Sequence, residues 1–278
     1  MNSMEQDAPT VGNLYSLAGK VAVVTGALGL LGKQHCIALS EAGAAVIVCD
    51  LEREKSDEFA RMLPGPAYGF QLDVTVMNSI KNLRSFILQK FGKLDILVNN
   101  AAINDMFENK NSAFENSKFE NYPVEMWEKS IRVNLTGVFL CSQVLGKLML
   151  EKRSGSIINI ASTYGTVAPD QNLYKRPDGS QPFFKSPVYS TSKGGIIAFT
   201  KYLASYWGKE GIRVNTLSPG GVENGQEEYF ISNYSQRTPL GKMADPGDYK
   251  GAIVFLASDA SRYMTGANLI VDGGWTIC

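Results

Sequence analysis

A glycine-rich turn between a short apolar run and a helical stretch constrains the fold of this chain more than any other feature. The run Lys20 to Thr25 predicts a buried β-strand, and the segment Gly26 to Gly32 leads directly into a helical pattern that begins at Leu30. Glycine permits a sharp turn and close approach of the backbone to a ligand, while the unpaired N–H groups of a helix N-terminus favour a phosphate. Glycine spacing alone, however, suits a simple packing turn about as well as a nucleotide site.

The acid that closes the second predicted strand supports the nucleotide interpretation. Asp50 follows Ala44 to Cys49, and its carboxylate could accept hydrogen bonds from the hydroxyl groups of an adenosine ribose. Strand, turn, helix and a second strand ending in an acid together favour a dinucleotide site. Because a carboxylate repels a 2′-phosphate, the sequence predicts NAD in preference to NADP. Lys33 and Arg53 are close enough in sequence to bind such a phosphate, so NADP stays the alternative.

Short β-branched runs alternate with longer amphipathic stretches along the rest of the chain, a pattern typical of a parallel sheet covered by helices on both faces. With right-handed crossovers it predicts an α/β protein: a single-domain Rossmann fold over residues 1–278, with a doubly wound, seven-stranded parallel sheet. Residues 1–16 are expected to form a flexible N-terminal extension. The predicted strands are Lys20–Thr25, Ala44–Cys49, Ala67–Leu72, Leu94–Val98, Ser156–Ala161, Ile212–Leu217 and Ala267–Val271. The predicted helices include Leu30–Ala42, Val76–Phe91, Val124–Leu150 and Val188–Lys209.

Composition and charge argue against several classes of protein. The 27 Lys and Arg residues balance 27 Asp and Glu residues, which leaves no broad positive field for a nucleic-acid partner. The first ten residues lack the basic start and apolar core of a signal peptide, and no eighteen apolar residues run together, so we expect a cytoplasmic protein without a membrane partner. His35 is the only histidine, which disfavours a hydrolase triad. Four widely spaced cysteines form no CxxC pair and predict no metal site: Cys36, Cys49, Cys141 and Cys278.

Tyr189 and Lys193 form the strongest candidate for chemistry. Their four-residue spacing at the start of a helical stretch places the phenol and the ammonium on one face. A free tyrosine titrates near pH ~10, and a neighbouring cation favours the phenolate, so the sequence predicts a lowered pKa for Tyr189. A Tyr and a Lys one turn apart are nevertheless more often part of a solvated helix face, and the catalytic interpretation needs further motifs.

Those motifs follow one another in a specific order. After the glycine-rich turn come Asp73-Val74, Asn99-Asn100-Ala101-Ala102, Asn134-Leu135-Thr136-Gly137, Ser162-Thr163-Tyr164-Gly165, Tyr189 to Lys193, Pro219-Gly220 and Asp272-Gly273-Gly274. In this order they resemble the classical short-chain dehydrogenase/reductase family from roughly Leu17 to Trp275. The chain departs from the family pattern at Leu30, where glycine is usual, with Gly29 standing one position early. It departs again at Ala102, where the usual NNAG has glycine.

The resemblance implies an NAD(P)-dependent oxidoreductase that interconverts a secondary alcohol and a ketone. It makes Tyr189 the general acid/base and Ser162 the residue that binds the reacting oxygen. Lys193 is implied to lower the pKa of Tyr189 and to hold the nicotinamide ribose, and Asn134 to support a water-mediated proton relay to Lys193. The cofactor-binding residues expected on the same basis are Gly26, Gly29, Leu30, Leu31, Gly32, Asp50, Leu51, Asp73, Val74, Asn100, Ala101, Ala102, Tyr189, Lys193, Pro219, Gly220 and Val222. Taken singly, Asp73 could instead cap the next helix and Pro219-Gly220 could be only a turn.

Two loops, 104–122 and 166–187, are expected to border the substrate. Their bulky groups could form a hydrophobic lid, while their hydrogen-bonding groups predict a polar substrate, a phosphorylated one included. The bulky residues are Phe107, Phe114, Phe183 and Phe184, and the polar ones are Asp170, Asn172, Tyr174, Lys175 and Arg176. The segments 168–174, 186–189 and 221–225 are similar to family members linked to bacterial surface-sugar and nonulosonic-acid synthesis. The same loops could equally serve subunit contacts.

Two other functions remain open at this point. One is a 3-oxoacyl-thioester reductase, which would use NADPH with acyl-carrier-protein or coenzyme A substrates. The other is a non-catalytic sensor of nicotinamide cofactors, which has no need for the proton-handling side chains present here. The family resemblance also implies a homo-oligomer, a dimer or tetramer joined through the helices at Val124 to Leu150 and Val188 to Lys209.

Overall fold

One parallel sheet organises the chain, whose computed structural model describes residues 10–104 and 114–278. The strands are β1 Val21–Thr25, β2 Ala45–Asp50, β3 Ala67–Gln71, β4 Ile96–Asn99, β5 Gly155–Ile160, β6 Ile212–Pro219 and β7 Asn268–Val271. All pairs are parallel, in the order β3-β2-β1-β4-β5-β6-β7, which confirms the predicted doubly wound sheet of seven strands. Residues 1–9 of the predicted N-terminal extension lie outside the described residues, and Val11–Leu14 forms a single helical turn.

Helices cover both faces of the sheet. They are α1 Leu30–Glu41, α2 Arg53–Arg61, α3 Met77–Phe91, α4 Val124–Ile131, α5 Gly137–Lys152, α6 Pro187–Trp207, α7 Glu228–Arg237 and α8 Lys250–Ala257, with a further single turn at Phe114–Ser117. Successive side chains of a strand point to opposite faces, so Val21 and Val23 pack with α3, α5 and α6. Ala22 and Val24 pack with α1, α2 and α8 on the other face. The apolar runs of the sequence therefore fill two core layers.

The long helix predicted over Val124–Leu150 differs in one place. Between α4 and α5 the backbone widens into a π-helical turn, Arg132–Thr136, which contains Asn134. Such single π turns are rare and often occur at functional sites. The combined stretch Val124–Lys152 is apolar and long enough to cross a membrane by length and composition alone, but more than half of its most apolar window is buried inside the protein. Its apolar character is that of a core helix packed on the sheet.

The order of the strands determines where a ligand can bind. The chain moves from β1 outward to β3, then returns to β4 beside β1 and continues in the opposite direction to β7. Helices leave in opposite directions at such a switch point and open a crevice at the carboxyl ends of the strands. The glycine-rich turn after β1 and the segment 100–102 after β4 meet at this crevice.

The buried His35 makes the free energy of unfolding depend on pH in the acidic range. The side chain is fully buried in α1, neither ring nitrogen has a hydrogen-bond partner, and burial lowers its pKa from 6.5 to about 4. As the pH falls between these values, the unfolded chain binds a proton that the folded chain excludes, so stability is lost, by about 3 kcal/mol in total. Urea denaturation at a series of pH values should show this loss in the wild type. His35→Leu should lack it, and equal pH slopes for the two proteins would contradict the assignment.

Candidate active site

A continuous groove runs along the carboxyl ends of the strands. It consists of two cavities, of about 820 and about 500 Å³, that share Leu30, Leu31, Asn100 and Ala102 in their walls. Every residue predicted to bind the cofactor lines one of the two. The larger cavity has Gly26, Gly29, Leu30, Leu31, Gly32, Asp50, Leu51, Asp73, Val74, Asn100, Ala101 and Ala102 in its wall, and the smaller has Tyr189, Lys193, Pro219, Gly220 and Val222. The groove is thus shaped for an elongated, two-part ligand.

The glycine-rich turn is closely packed against the strand beside it. Gly26 has a φ of +61°, a conformation that favours glycine, and a Cβ there would lie 2.7 Å from the Cα of Ala101. A Cβ on Gly32 would lie 2.2 Å from the carbonyl oxygen of Gly26. The family usually has glycine at position 30, where this chain has Leu30. Here Gly29 is the N-cap of α1, and the helix begins at Leu30. The larger cavity borders this turn and the N-terminus of α1, whose unpaired N–H groups favour a phosphate.

Asn100 connects this turn to β4. Its side-chain amide donates hydrogen bonds to the carbonyl oxygens of Gly26, at 2.8 Å, and Thr25, at 3.0 Å. The hydroxyl oxygen of Thr25 accepts hydrogen bonds from the backbone N–H groups of Asn100 and Ala101, both at 3.0 Å. The two strand ends at the switch point are therefore held together by side chains as well as by the sheet.

Asp50 and Asp73 lie at the far end of the larger cavity. Asp50 Oδ2 accepts a hydrogen bond from the N–H of Leu28 at 2.8 Å, so this carboxylate also fixes the glycine-rich turn. Asp73 Oδ1 accepts from the N–H of Thr75 at 2.8 Å and so stabilises the turn before α3, but the N-cap of α3 is Val76, so Asp73 does not have the capping role considered as its alternative. Asp73 nevertheless lines the cavity, so the structural role does not remove it from the groove.

Three of the four predicted catalytic side chains, those of Ser162, Tyr189 and Lys193, meet at the smaller cavity. Tyr189 and Lys193 lie in the first turns of α6, which begins with Pro187 after the buried Ser186. Ser162 follows β5, is 8% exposed and lines the same cavity as Tyr189, whose pKa it lowers. Lys193 Nζ donates a 2.8 Å hydrogen bond to the carbonyl oxygen of Ile160 and lies 5.8 Å from the centre of the Tyr189 ring. A phenol, a hydroxyl and an ammonium thus share one small space.

The pKa of Tyr189 differs from the expectation based on spacing. Burial raises this pKa because the phenolate would lose its hydration, and the hydrogen bond from Ser162 offsets the rise only in part. Burial also lowers the pKa of Lys193 to about 8, and its ammonium is directed to Ile160. The pKa of Tyr189 is therefore raised in the protein without cofactor, whereas its spacing from Lys193 predicted that it would be lowered. In this state Tyr189 is a neutral phenol at pH 7, ready to donate a proton.

Asn134 lies behind the cavity wall and is 1% exposed. Its side-chain oxygen accepts from the N–H of Ile103 at 2.8 Å, and its amide donates to the carbonyl oxygen of Ile103 at 3.0 Å and to Ser192 Oγ at 3.5 Å. The π turn brings this amide between the loop after β4 and α6. Its role in a proton relay stays a prediction.

The loop residues separate into two groups. Tyr174 lines the smaller cavity, whereas Asp170 pairs with Arg237 and Arg176 lies 3.9 Å from Glu227, so both tie the loop to the region of α7. Phe183 packs on Tyr174, and Phe114 on Phe184, while Phe107 lies outside the described residues. Lys175 and Asn172 are exposed and do not line the cavity.

Several residues of the cavity wall were absent from the sequence-based set. They are Asn104, Tyr164, Lys185, Gln226, Phe230, Tyr234 and Met243. Tyr234 also holds the backbone there, because its hydroxyl accepts a 2.6 Å hydrogen bond from the N–H of Gly221. Asn104 and Lys185 carried a signal in sequence, because they lie in the loops 104–122 and 166–187 that were expected to border the substrate.

A dinucleotide-shaped groove that ends at a Tyr, a Lys and a Ser defines an oxidoreductase that uses a nicotinamide cofactor. Residues 20–174 match the family described as short chain dehydrogenase. Residues 178–276 match the one described as enoyl-(acyl carrier protein) reductase. The chain belongs to the short-chain dehydrogenase/reductase family, as its motifs predicted.

The chain is also similar to three enzymes and to one solved structure over nearly its whole length. The chain is 35% identical over 271 residues to D-threitol dehydrogenase of Mycolicibacterium smegmatis, covering 95% of each protein. It is 31% identical over 268 residues to NAD-dependent glycerol dehydrogenase of Listeria innocua, covering 95% of this chain and 96% of the relative. It is 34% identical over 268 residues to 3-oxoacyl-[acyl-carrier-protein] reductase of Thermotoga maritima, covering 94% and 99%. A gluconate 5-dehydrogenase from Burkholderia cenocepacia, solved with NADP and tartrate, has a TM-score of 0.84 at 28% identity, covering 97% and 100%. The reaction of this chain is NAD(P)-dependent interconversion of an alcohol and a ketone.

Proposed function

We propose that this enzyme oxidises a secondary alcohol of a small polyhydroxylated substrate to a ketone with NAD, and reduces the ketone in reverse. The observation that carries the proposal is the meeting of Tyr189, Ser162 and Lys193 in the smaller cavity, which shares part of its wall with the larger one. NAD, when bound, supplies the acceptor for the hydride. The cofactor would lie in the larger cavity. It would be held there by the turn at Gly26 and Gly32, where no Cβ fits, by the start of α1 and by the carboxylate of Asp50.

The protein's own task is to orient one oxygen and move one proton. Tyr189 takes the proton of the alcohol hydroxyl during oxidation and returns it during reduction. Ser162 donates a hydrogen bond to the reacting oxygen and stabilises the charge that develops there. Lys193, protonated below about pH 8, supplies positive charge beside Tyr189. Asn134 keeps Ile103 and Ser192 in place behind these groups.

The substrate class follows from the wall of the smaller cavity. Asn104, Gln226 and the hydroxyl groups of the tyrosines can hydrogen-bond a substrate that carries several hydroxyls. The volume of about 500 Å³ suits a small molecule, since cavities of roughly 300–1,000 Å³ are usual for such ligands. Among the relatives, threitol and glycerol are polyols and gluconate is a sugar acid. The likeness of the loops to surface-sugar enzymes extends the proposal to larger sugars.

A substrate screen tests this function. Purified protein should reduce NAD in the presence of four- to six-carbon polyols or sugar acids, with kcat/KM at least about 10-fold above that for 3-oxoacyl thioesters assayed in the reverse direction with NADPH. The measurement with 3-oxoacyl thioesters is included because one relative is a 3-oxoacyl-[acyl-carrier-protein] reductase. Preference for the thioester would replace the proposal with that activity. Tight cofactor binding without turnover of any substrate would favour a sensor.

The cofactor preference forms a separate prediction. Asp50 lies in the wall where an adenosine ribose would bind, Lys33 and Arg53 are absent from that wall, and Arg53 is paired with Asp57 at 2.7 Å. We expect NADH to bind at least about 10-fold more tightly than NADPH, because a 2′-phosphate would meet the carboxylate. Fluorescence titration of the two reduced cofactors measures this ratio.

A matched variant isolates the charge of Asp50. Asp50→Asn keeps an oxygen that can accept the hydrogen bond from Leu28, and it should reduce the preference for NADH. Glu54→Gln removes an exposed charge nearby and should leave the preference unchanged. Tighter binding of NADPH by the wild type would overturn the assignment.

We also propose that the protein forms a homo-oligomer. Tyr202 and Tyr206 stack on each other along α6 and are 63% and 67% exposed, on one of the two helices expected to join subunits. Exposed aromatic pairs are typical of contact surfaces.

A further inference from the structure

Tyr164 contributes a phenol to the wall of the catalytic cavity. Its hydroxyl oxygen is shielded from bulk solvent, and none of the described residues gives it a partner with hydrogen-bond geometry. A buried hydroxyl without a partner has lost its hydration and gained nothing in exchange, which makes such groups rare in folded proteins. At the wall of a substrate cavity, the substrate is the group that can supply the missing hydrogen bond.

The position of Tyr164 relative to Ser162 is set by one short turn. Ser162 Oγ accepts a 3.2 Å hydrogen bond from the backbone N–H of Tyr164, at the start of the 3₁₀ turn Thr163–Gly165. Gly165 packs so closely on α6 that a Cβ there would lie 2.8 Å from the carbonyl carbon of Lys193. The turn is therefore fixed against the catalytic part of α6.

Aromatic contacts hold the ring of Tyr164. The indole of Trp275, which is 5% exposed, meets it edge to face with 5.6 Å between the ring centres. Trp275 in turn stacks on Tyr234 of α7, with 5.5 Å between the ring centres and an angle of 11° between the ring planes. Because backbone and ring are both held, the hydroxyl has little freedom to turn toward another partner within the protein.

A second phenol, that of Tyr174, lies in the same cavity wall. Burial raises the pKa of Tyr164, and the neighbouring Tyr174 offsets part of this rise, so the two phenols are close in space. Burial also raises the pKa of Tyr174, so both groups are neutral at pH 7 and can donate hydrogen bonds. Two hydroxyls carry two hydrogens, so even a full hydrogen bond between the phenols would leave one hydrogen free to donate.

We propose that Tyr164, with Tyr174 beside it, binds a second hydroxyl of the substrate, one or two carbons from the carbon that is oxidised. Ser162 binds the reacting oxygen, and Tyr164 follows it by two residues on the same turn and in the same cavity, so the two bound oxygens belong to nearby carbons. The inference rests on the proposed function and narrows its substrate class. A monohydric alcohol leaves the Tyr164 hydroxyl without a partner and is the poorer substrate.

Matched four-carbon alcohols test the proposal: butane-2,3-diol, butane-1,3-diol and butan-2-ol. With NAD, the wild-type enzyme should show a kcat/KM for at least one of the diols about 10-fold above that for butan-2-ol. Tyr164→Phe, which keeps the ring that meets Trp275, should lower this ratio by about 10-fold, and Tyr174→Phe should lower it by less. Tyr263→Phe, which removes a fully exposed hydroxyl outside the cavity wall, should leave the ratio unchanged.

Equilibrium binding keeps this test separate from that of the proposed function. The three alcohols are titrated into the NADH-bound wild type and Tyr164→Phe, and the fluorescence of NADH reports binding even if none of them is turned over. The preference for a diol should be present in the wild type and reduced in Tyr164→Phe. Equal binding of diols and butan-2-ol by the wild type would overturn the proposal. An equal loss of affinity or of kcat for all three alcohols in Tyr164→Phe would overturn it too, because the hydroxyl would then only support Ser162.

Discussion

Tyr189→Phe is expected to lower kcat by about 10²- to 10⁴-fold while NADH affinity changes little. The substitution removes only the hydroxyl that accepts or donates the proton, and the ring keeps its contacts with Lys185 and Lys193. Steady-state kinetics gives the loss of turnover, and fluorescence titration of NADH gives the affinity. Since burial raises the pKa of Tyr189, we also expect oxidation by the wild type to accelerate as the pH rises.

Tyr206→Phe is the matched control for this prediction. Tyr206 lies on the same helix but is 67% exposed, stacks on Tyr202 and does not line the groove. The loss of its hydroxyl should leave kcat unchanged. Turnover by Tyr189→Phe at the wild-type rate would show that another group moves the proton, and the assignment of the general acid/base would be wrong.

The sheet could be predicted because its signals are local. A parallel strand buried on both faces needs a continuous apolar run, and each run ended at a polar or glycine-rich segment of the chain. Thr25, Asp50 and Asn99 mark three such strand ends, and the structure brings all three to the same edge. The bounds of the strands shifted by a few residues, since hydrogen bonding rather than composition decides where a strand stops.

The surroundings of the reactive groups could not be predicted in the same way. The spacing of Tyr189 and Lys193 placed them on one helix face, but the pKa of Tyr189 depends on how much protein surrounds it. Asn104 meets Lys185 across 81 positions of sequence, and Tyr234 holds Gly221 through a side chain of another helix. No local pattern encodes such contacts. The π turn at Asn134 is equally invisible, because its residues suit an ordinary helix.

Gly32→Ala is expected to destabilise the protein by about 2–3 kcal/mol and to weaken NADH binding by at least about 10-fold. Helix propensity alone predicts the opposite, since alanine is favoured over glycine inside a helix by roughly 1 kcal/mol. Here the new Cβ would lie 2.2 Å from the carbonyl oxygen of Gly26 and 2.9 Å from Asn100 Nδ2. Those two atoms are joined by a 2.8 Å hydrogen bond, so the turn and β4 must separate to admit the methyl group.

Gly251→Ala makes the comparison decisive, because it is the same substitution early in another helix. Gly251 is exposed in α8, and a Cβ there would meet nothing within 4 Å, so propensity acts alone and should stabilise the protein by about 0.5–1 kcal/mol. Urea denaturation of both variants, with and without NAD, separates the two effects. If the closely packed turn holds the cofactor, the free energy of unfolding should fall in Gly32→Ala and rise in Gly251→Ala. The additional stability that NAD provides should be smaller only in Gly32→Ala. Gly32→Ala could instead match Gly251→Ala in stability and bind NADH normally. The turn would then be able to admit a methyl group without cost, and close packing at Gly26 and Gly32 would not be what shapes the groove for a phosphate.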